Sequence, residues 1–521
     1  MESKEILKFC MENGLLVDNE VLNLLSQEGD VDSIKFIIEK IKRYSQGKII
    51  SRDLFIKNKE QVNLGFEDLP EDKKKNLEGL SIKLGLRIEI LKERATLPQK
   101  EDEQNNKGKG FGVKILSSYL KQGKKFGVED FVGYFKARLS DVKAILQERA
   151  ELENLFSINR LSSARQTVSI IGIVYDKKVT KNKNLIFEVE DLTGKVKILV
   201  SQNKEEVYKK AEEIPLDAVV AFKCSGDKEI LFAQDILFPD SILPERKRSS
   251  VEEYVCFISD VHIGSKNFLE ESFLKFIDYL NYKIPGTPEV SKIKYLFIVG
   301  DLITGVGNYP DQEKDLIINN LEDQYNYAAE LLGRIRKDIQ IIISPGNHEG
   351  VRLMEPQPLY DEKYAWALYG MENVFLTENP AVVNIGANKD FPGLNVLTYH
   401  GFSYPFYADN VSSLIKIKAM NSPEKIMDYL LKFRHLAPTH GSAQYFPSDN
   451  DFHFIKEIPD IFVSGHTHKS GVAYHNNIMI ISGSSWESLT AYQEKFGNLP
   501  DHCKVPLLNL KTREVKILDF E

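Results

Sequence analysis

The spacing of apolar residues changes along the chain, and the first pattern is that of a helix. In "VDSIKFIIEKIK" the apolar side chains recur three and four residues apart, with lysines and acidic residues between them. This spacing is typical of an amphipathic helix. The apolar stripe consists of Val31, Ile34, Ile38 and Ile41. Residues 1–96 are therefore predicted to form a small helical N-terminal module.

A polar segment separates this module from a second helical pattern. Residues 98–110, "PQKEDEQNNKGKG", carry no large apolar side chain, and this composition predicts a flexible linker bounded at 97–111. Residues 112–160 contain another helical stripe, which predicts a helical connector packed on the neighbouring domain. The stripe consists of Phe131, Phe135, Leu139, Val142 and Leu146.

In residues 161–243 apolar and polar positions alternate, as they do in strands with one buried face. "NLIFEVED" and "KVKILVSQ", joined by "LTG", predict a hairpin, and the flanking runs supply about three more strands. Five short strands with one helical insert match a small Greek-key barrel of the oligonucleotide/oligosaccharide-binding (OB) type. Such a barrel binds single strands or serves as a scaffold. Both readings stay open, because the basic loop "DKKVTKNKN" has few aromatic residues around it.

A charged segment, "PERKRSSVEE", leads into residues 250–521, where apolar runs alternate with helical patterns. This alternation predicts a layered α/β domain. Five of the apolar runs stop at polar residues that can bind a metal, and the carboxyl ends of strands in an α/β sheet meet in one crevice. The polar residues are Asp260 and His262; Asp301; Asn347, His348 and Glu349; His400; and His466 with His468.

Composition excludes several classes of protein. A chain of 521 residues is expected to hold two to four domains. No apolar run reaches the ~20 residues that span a bilayer, and no signal peptide is apparent, so we expect no membrane association. The four cysteines lie far apart without a CxxC pair, which favours a cytoplasmic protein without a disulfide scaffold. With a net charge of −8, contact with nucleic acid would depend on a local patch, a partner or bound metal ions.

All ten histidines lie at or beyond His262, which points to the last domain as the place for chemistry. An aspartate after a strand is often only a helix N-cap, and a lone histidine is often an ordinary core residue. Five such strand ends in order, each with a glycine nearby, favour a metal site instead. The donors are carboxylates, an amide and imidazoles without a thiolate, a set that suits Mn²⁺, with Fe²⁺, Zn²⁺ and Mg²⁺ as alternatives.

Seven of these residues are candidate ligands, more than one ion needs while leaving room for substrate: Asp260, His262, Asp301, Asn347, His400, His466 and His468. Two ions that share a carboxylate use the set better, and Asp301, alone on its strand end, is the natural bridge. Two ions a few ångströms apart suit in-line displacement at phosphorus, because one activates water and both stabilise the oxygens.

The motifs DxH, GD, GNHE, HG and GHTH, in this order over residues 250–521, resemble those of the calcineurin-like metallophosphoesterase superfamily. The resemblance implies a β-sandwich with flanking helices, and one metal held by Asp260, His262, Asp301 and His468. It implies a second metal held by Asp301, Asn347, His400 and His466. His348 would be the histidine that binds no metal, stabilises the transition state and protonates the leaving oxygen, and Glu349 would support the site or the fold. Five histidines match no motif position and are predicted to be structural: His435, His440, His453, His475 and His502.

The domain order and segments such as "FISDVHIGSKNF" and "RHLAPTHGS" resemble the small subunits of archaeal family D DNA polymerases, relatives of the eukaryotic polymerase B-subunits. The resemblance implies a 3′→5′ exonuclease that proofreads for a separate, large catalytic polymerase subunit. It also implies binding of single-stranded 3′ DNA ends, contact with the sliding clamp and a place at the nucleoid. Two alternatives are a stand-alone phosphatase or nucleotidase, and a non-catalytic scaffold like the eukaryotic B-subunits, which have lost metal ligands.

Overall fold

The chain forms two compact units, Met1–Gly110 and Phe111–Glu521. The computed structural model describes residues 3–18, 21–22, 35, 38, 42, 49–50, 112–117, 125–448, 450–497 and 499–521. In the first unit it contains a helix, Ser3–Glu12, and a parallel pair of short strands, β1 (Leu16–Val17) and β2 (Ile49–Ile50). Of the predicted apolar stripe, Ile38 is helical and buried. The rest of that stripe and the predicted linker lie outside the described residues.

The second unit begins with a strand where the sequence predicted a helical connector. Residues Val113–Ile115 form β3, which pairs antiparallel with a strand of a later sheet. The segment 112–160 thus contains a short strand ahead of its helix, because "VKI" gains backbone hydrogen bonds at a sheet edge. The helix itself, Val128–Gln147, which we call the connector helix, starts after Gly127, whose N–H donates to the Asp130 carboxylate.

Five strands form a closed barrel beside the connector helix. They are β4 (Gln166–Val179), β5 (Leu185–Asp191), β6 (Gly194–Val200), β7 (Val219–Gly226) and β8 (Leu231–Leu237), in the order β4-β5-β6-β8-β7. Neighbours are antiparallel except for β6 and β8, and the helix Glu205–Glu212 lies between β6 and β7. Alternate residues such as Phe187 and Phe222 fill the interior, while Leu139, Val142 and Leu146 of the connector helix cover its outer face.

The remaining strands form two six-stranded sheets. The first has the order β12-β11-β10-β9-β18-β19 and consists of β9 (Tyr254–Ile258), β10 (Ile293–Val299), β11 (Gln340–Ser344), β12 (Val374–Leu376), β18 (Lys504–Asn509) and β19 (Val515–Asp519). Strands β9 to β12 are parallel to one another, with Ile298 opposite both Ile258 and Ile343.

The second sheet adds β13 (Ala381–Ile385), β14 (Leu394–Tyr399), β15 (Ile461–Ser464), β16 (Gly471–His475) and β17 (Ile478–Ser482) to β3. Its strand order is β16-β17-β15-β14-β13-β3. Its central strands β14, β15 and β17 are parallel. The faces of the two sheets pack on each other through buried residues such as Phe257, Phe297, Val396 and Val463; each buried side chain of this size stabilises the sandwich by about 1.5–3 kcal/mol.

Helices cover the outer faces of both sheets, which completes an α/β sandwich and confirms the predicted layered domain. The first sheet is covered by Glu270–Leu280, Leu321–Gly333 and Glu362–Tyr369, and the second by Tyr404–Asn410, Ser412–Lys416 and Pro423–Phe433. The first of these helices buries Phe273, Phe276 and Ile277, at the spacing expected of one apolar face. The last short helix is Ala491–Phe496. Among the described residues, the helices are all too short or too polar to cross a membrane.

Candidate metal centre

The five polar strand ends meet at one rim of the sandwich. Strands β9, β10 and β11 are neighbours in the first sheet, and β14 and β15 are neighbours in the second. The convergence therefore involves two facing sheets and not the crevice of a single sheet that was predicted from the sequence. Polar atoms of the candidate ligands come within hydrogen-bonding range of one another across the gap between the sheets.

The first cluster contains Asp260, His262 and His468, whose donor atoms all lie within 4.8 Å of one another. The two imidazoles approach with Nε2 atoms 3.1 Å apart, and Nε2 of His468 lies 3.5 Å from Oδ1 of Asp260. All three residues are buried. This group has the composition and spacing of a site for one metal ion.

The second cluster contains Asp301, His400 and His466. Nε2 of His400 lies 3.2 Å from Oδ2 of Asp301, 3.3 Å from Nδ1 of His466 and 3.0 Å from Oδ1 of Asn347. Asn347 and His466 are partly exposed, so this side of the centre opens towards solvent. The seven ligands predicted from the sequence thus lie in two adjoining groups.

Asp301 faces both groups. Its Oδ2 atom lies 4.0 Å from Nε2 of His262 in the first cluster, in addition to its contact with His400 in the second. Its other oxygen, Oδ1, accepts the backbone N–H of His348 at 2.9 Å. A carboxylate in this position can contact two ions at once.

The backbone at this rim adopts a conformation that side chains rarely take. Five of the candidate ligands have a positive φ: Asp260 (50°), His262 (55°), Asp301 (52°), His466 (70°) and His468 (55°). A residue other than glycine costs roughly 1–2 kcal/mol in the left-handed region. Strain of this kind is concentrated at functional sites, where the surrounding structure holds it in place.

Glycines beside the ligands allow the two sheets to come this close. A Cβ atom on Gly300 would lie 2.1 Å from Nδ1 of His400, and one on Gly346 would lie 2.2 Å from Oδ1 of Asp301. A Cβ on Gly465 would lie 2.6 Å from Oδ2 of Asp260. Glycine is therefore required at these positions for close approach, in addition to any effect on the turns.

Burial and mutual contact set the charges of the cluster. Burial lowers the pKa of His262 and His468, and burial together with His400 lowers the pKa of His466 to about 3. Burial, reinforced by Asp301, raises the pKa of Asp260 to about 7. Neutral imidazoles keep a lone pair for a cation, which is the form in which histidine binds metals.

The pKa values of Asp301 and His400 shift in the directions opposite to those that burial favours. Burial alone would raise the pKa of Asp301 and lower that of His400, but each stabilises the charged form of the other. The pKa of Asp301 falls well below its ordinary range, and that of His400 rises to about 10. Without a metal, the imidazolium of His400 thus supplies the positive charge that the buried Asp301 carboxylate needs.

The residues present fit a pair of divalent cations. Two ring nitrogens 3.1 Å apart, in His262 and His468, share at most one proton, and the same holds for His400 and His466 at 3.3 Å. Nδ1 of His262 is buried and has no hydrogen-bond partner in the part of the chain that the structure describes. Lone pairs that converge on each other and on two buried carboxylates are stabilised by a shared cation.

His348 lies at the edge of the cluster and is partly exposed. Its Nδ1 atom lies 2.9 Å from the carbonyl oxygen of Thr304, which fixes Nδ1 as the protonated nitrogen and leaves Nε2 free. Asn308 also donates to the carbonyl oxygens of Thr304 and His348, at 3.1 and 3.3 Å. The ring packs edge-on against His262, with centroids 4.8 Å apart, and His348 forms a third group of possible donors with His262 and Asp301.

Glu349 supports the loops rather than joining the candidate metal groups of the described chain. Its carboxylate accepts the backbone N–H groups of Leu302 and Gly346 at 2.6 Å each, and that of Asp301 at 3.2 Å. Burial and the neighbouring Asp301 raise its pKa to about 8. Glu349 therefore ties the loop after β10 to the loop after β11.

The five histidines outside the motifs also lie outside the described donor groups. His435 and His453 are part of a buried network in which Asp451 contacts His435 at 2.7 Å and Arg138 of the connector helix at 2.6 Å. His475 lies between the carboxylates of Asp240 and Asp428, at 2.7 and 2.9 Å. His440 packs against aromatic rings, and His502 forms an isolated bridge with Ser485.

Sequence reasoning missed the polar residues that hold the ligands in place. They include Asn308, Gln357, Asn379 and Gln493, of which Gln493 lies 2.7 Å from Nδ1 of His468. These amides stand in loops or a short helix and share no spacing with the ligand motifs. Their roles follow only from contacts between segments far apart in sequence.

Comparison with known proteins defines the class of protein. Residues 254–470 match the family "Calcineurin-like phosphoesterase", in agreement with the sandwich and its rim of metal-binding residues. A solved structure of a novel archaeal phosphodiesterase covers 51% of this chain and 98% of its own length, at 12% identity and a TM-score of 0.25. A likeness this slight carries no argument about activity.

Two relatives narrow the class. The DNA polymerase II small subunit of Pyrococcus furiosus is 38% identical over 403 residues, which cover 75% of this chain and 64% of the relative. The protein of the same name from Methanothermobacter thermautotrophicus is 34% identical over 415 residues, covering 79% of this chain and 83% of the relative. The chain thus spans a little under two thirds of the Pyrococcus protein. It belongs to the family of DNA polymerase II small subunits.

Proposed function

We propose that this chain is the proofreading subunit of a two-subunit DNA polymerase, with a metal-dependent 3′→5′ exonuclease at the rim of its sandwich. The observation that carries the proposal is the set of seven donors in two groups, with Asp301 facing both. A scaffold that had lost its chemistry would not need to keep five of these residues in a left-handed backbone. Family membership supports the association with a large catalytic subunit.

In this proposal Asp260, His262 and His468 would hold one ion, Asn347, His400 and His466 would hold the other, and Asp301 would be shared between them. Mn²⁺ suits these donors best, with Fe²⁺, Zn²⁺ and Mg²⁺ as alternatives. Such ions, when bound, activate water and stabilise the charge that develops on a phosphodiester.

The proton for the leaving group comes from the chain itself. His348 is partly exposed at the open side of the cluster, and the carbonyl oxygen of Thr304 holds its Nδ1 proton. Its Nε2 atom is therefore the one that faces substrate. In the imidazolium form both ring nitrogens carry a proton, and Nε2 would deliver its proton to the departing 3′ oxygen and return to the neutral form. The second cluster also opens on this side, which gives a single-stranded 3′ end a way to approach.

Charge and domain arrangement support a partner. The net charge of −8 is unfavourable for tight DNA binding by the chain alone, so most backbone-neutralising charge should belong to the large subunit. We also propose that the barrel is of the OB type, that it contributes to DNA or subunit contact, and that the sliding clamp is a further partner. In the proposed division, residues 1–96 form the N-terminal module, 112–160 the connector, 161–243 the barrel domain and 250–521 the phosphoesterase.

The test of activity is hydrolysis of a primer with a mismatched 3′ end in Mn²⁺, by the purified chain alone and with its large subunit. We expect release of mononucleotides from the 3′ end and little activity on free nucleotides or on p-nitrophenyl phosphate. Faster hydrolysis of small phosphomonoesters than of DNA would show a phosphatase or nucleotidase instead. If the chain binds metal but hydrolyses none of these substrates, with or without the large subunit, the chain is a non-catalytic scaffold.

The test of assembly is co-purification of the large subunit with a shortened chain that begins at residue 112. We expect binding, because Phe111–Glu521 is a compact unit by itself, and an obligate interface of more than about 2,000 Å² is more readily formed by the larger unit. The matched fragment, residues 1–96, should not bind. Binding by that fragment alone would make the N-terminal module the main docking element.

A further inference from the structure

A pair of buried amides links the two sheets directly behind the second metal cluster. Gln357 follows β11 of the first sheet, and Asn379 lies between β12 of the first sheet and β13 of the second. Both side chains are buried, at 2% and 0% exposure. Nδ2 of Asn379 donates to Oε1 of Gln357 at 2.6 Å, and their backbones pair as an isolated antiparallel bridge.

Each amide also binds the backbone beside a candidate ligand. Nε2 of Gln357 donates to the carbonyl oxygen of Gly346 at 2.7 Å, one residue before Asn347. Oδ1 of Asn379 accepts the backbone N–H of His400 at 2.8 Å. The chain of contacts from Gly346 through Gln357 and Asn379 to His400, which we call the amide relay, therefore joins a ligand loop of the first sheet to a ligand of the second.

The first cluster has no need of such a relay. The backbone N–H of His466 donates to both carboxylate oxygens of Asp260, at 3.0 Å each, which ties the sheets directly where Asp260, His262 and His468 lie. In the second cluster, Asn347 and His400 belong to different sheets and touch only through their side chains, at 3.0 Å. The His400 side chain also reaches the first sheet at Asp301, 3.2 Å away, and at the carbonyl oxygen of Val299, 3.3 Å away. The relay adds a tie from the backbone N–H of His400 to the backbone beside Asn347, and so it helps to set the distance between these two ligands.

We propose that Gln357 and Asn379 are positioning residues that set the spacing of the second metal cluster and leave the first largely unaffected. This inference rests on the proposed metal assignment, but it concerns binding of the ions and does not require nuclease activity. The amide type is essential, because each side chain both donates and accepts hydrogen bonds. A carboxylate can only accept, so an acid at either position breaks one link and places a charge in a buried site.

The experiment is a Mn²⁺ titration of the full chain without DNA, by calorimetry. The wild type should bind two ions. Asn379→Asp should weaken the second ion by about 10–100-fold, the usual cost of removing a group that orients a ligand, and change the first by less than about threefold. Gln357→Glu keeps the bond from Asn379 and loses the bond to Gly346, and it should give the same selective loss.

Asn373→Asp is the matched control. Asn373 is a buried amide whose Nδ2 donates to the carbonyl oxygen of Ile339 at 2.8 Å, at the end of β11 away from the metal centre. It should lower the melting temperature as the relay variants do and leave both Mn²⁺ affinities unchanged. Electron paramagnetic resonance should show a spin-coupled manganese pair in the wild type and the control, and an isolated ion in Asn379→Asp at the same Mn²⁺ concentration.

Several results would overturn the inference. Equal weakening of both ions, an effect of Asn373→Asp as large as that of Asn379→Asp, or unchanged affinities in the relay variants would each do so. If Asn379→Asp does not fold, Gln357→Glu decides by the same criteria. If the wild type binds two ions but does not cut DNA, the proposed function is contradicted and the inference about the relay still stands. If the wild type cuts DNA and the relay variants bind both ions normally, the inference about the relay is contradicted and the proposed function still stands.

Discussion

The barrel and the rim of the sandwich use the left-handed backbone for different ends. In the barrel, Lys183 (φ 56°) and Asp217 (φ 62°) take this conformation at chain reversals, next to β5 and β7. At the rim, five candidate ligands take it, and four of them are buried. At Lys183 the left-handed conformation turns the chain, so glycine could take its place, whereas Asp217 also accepts the backbone N–H of His440 at 2.8 Å. The rim strain aims side chains at one point, so glycine there would remove the chemistry.

Among the substitutions that test this contrast, Asp301→Asn is expected to have the largest effect on metal binding and activity. The substitution removes the charge that faces both clusters, so both Mn²⁺ ions should be lost and DNA hydrolysis should fall below detection. His262→Ala and His400→Ala are the matched controls, and each should lose one ion and keep the other. Metal analysis of the three purified variants checks this. Equal metal loss in all three would contradict the assignment of Asp301 as the shared ligand.

The next largest effect is expected for His348→Ala. Loss of a general acid typically slows a reaction by about 10²–10⁴-fold, and His348 is not one of the seven proposed ligands. Hydrolysis of a 3′-mismatched primer should fall by this amount while the metal content stays at the wild-type level. His440→Ala, which changes an exposed histidine outside the motifs, should leave the rate unchanged. Loss of one metal equivalent from His348→Ala would show that His348 is a ligand.

The sequence was sufficient to predict that the seven proposed ligands and His348 come together, because each follows an apolar run that ends at the rim. It was not sufficient to predict what holds them. Asn379 meets Gln357 from 22 residues away and Arg138 meets Asp451 from 313 residues away, so no local pattern marks these residues as buried. Arg138 lies on the face of the connector helix where the apolar stripe predicted only hydrophobic contact, and its burial is compensated by Asp451.

The convergence of strand ends from two different sheets could not be predicted from the sequence either. The order of apolar runs along the chain does not tell which of them pair, and β3 comes from a segment predicted to be helical. The left-handed backbone at Asp260 or His466 gives no signal either, because these residues are not glycines.

A moderate effect on stability is expected from replacing His475, which lies between Asp240 and Asp428 at the junction of the barrel and the sandwich. Burial opposes its protonation, but these two carboxylates raise its pKa to about 9. A raised folded-state pKa stabilises the protein fully below the unfolded pKa of about 6.5, and this stability is lost as the pH rises through 9. The wild type should be more stable than His475→Gln by about 1–2 kcal/mol at pH 6, allowing for solvent screening at Asp428.

Denaturant unfolding of both proteins from pH 6 to pH 10 checks this prediction. The difference between them should shrink steadily above pH 7 and become small above pH 9. A difference that stays constant over this range would show that His475 contributes by packing and not by charge.

The smallest effect is expected for Lys183→Gly in the β4–β5 turn. Glycine takes a φ of 56° without strain, and relief of strain exceeds the entropy that glycine adds to the unfolded chain, so the free energy of unfolding should rise by about 0.5–1 kcal/mol. Lys181→Gly, in the same turn but outside the positive-φ residues of the described chain, should lower it. If both substitutions lower the free energy of unfolding, glycine does not relieve backbone strain at residue 183.

The short strand β3 has a consequence for the solution behaviour of shortened chains. It pairs through Val113, Lys114 and Ile115 with β13 and is the last strand on its side of the second sheet. A chain that starts at residue 116 would keep every proposed ligand but leave β13 with open N–H and C=O groups and an apolar face, a template for pairing with another molecule. Such a chain should self-associate at concentrations at which one starting at residue 112 stays monomeric. Three residues remote from the metal centre would then decide whether the enzyme can be handled as a single species.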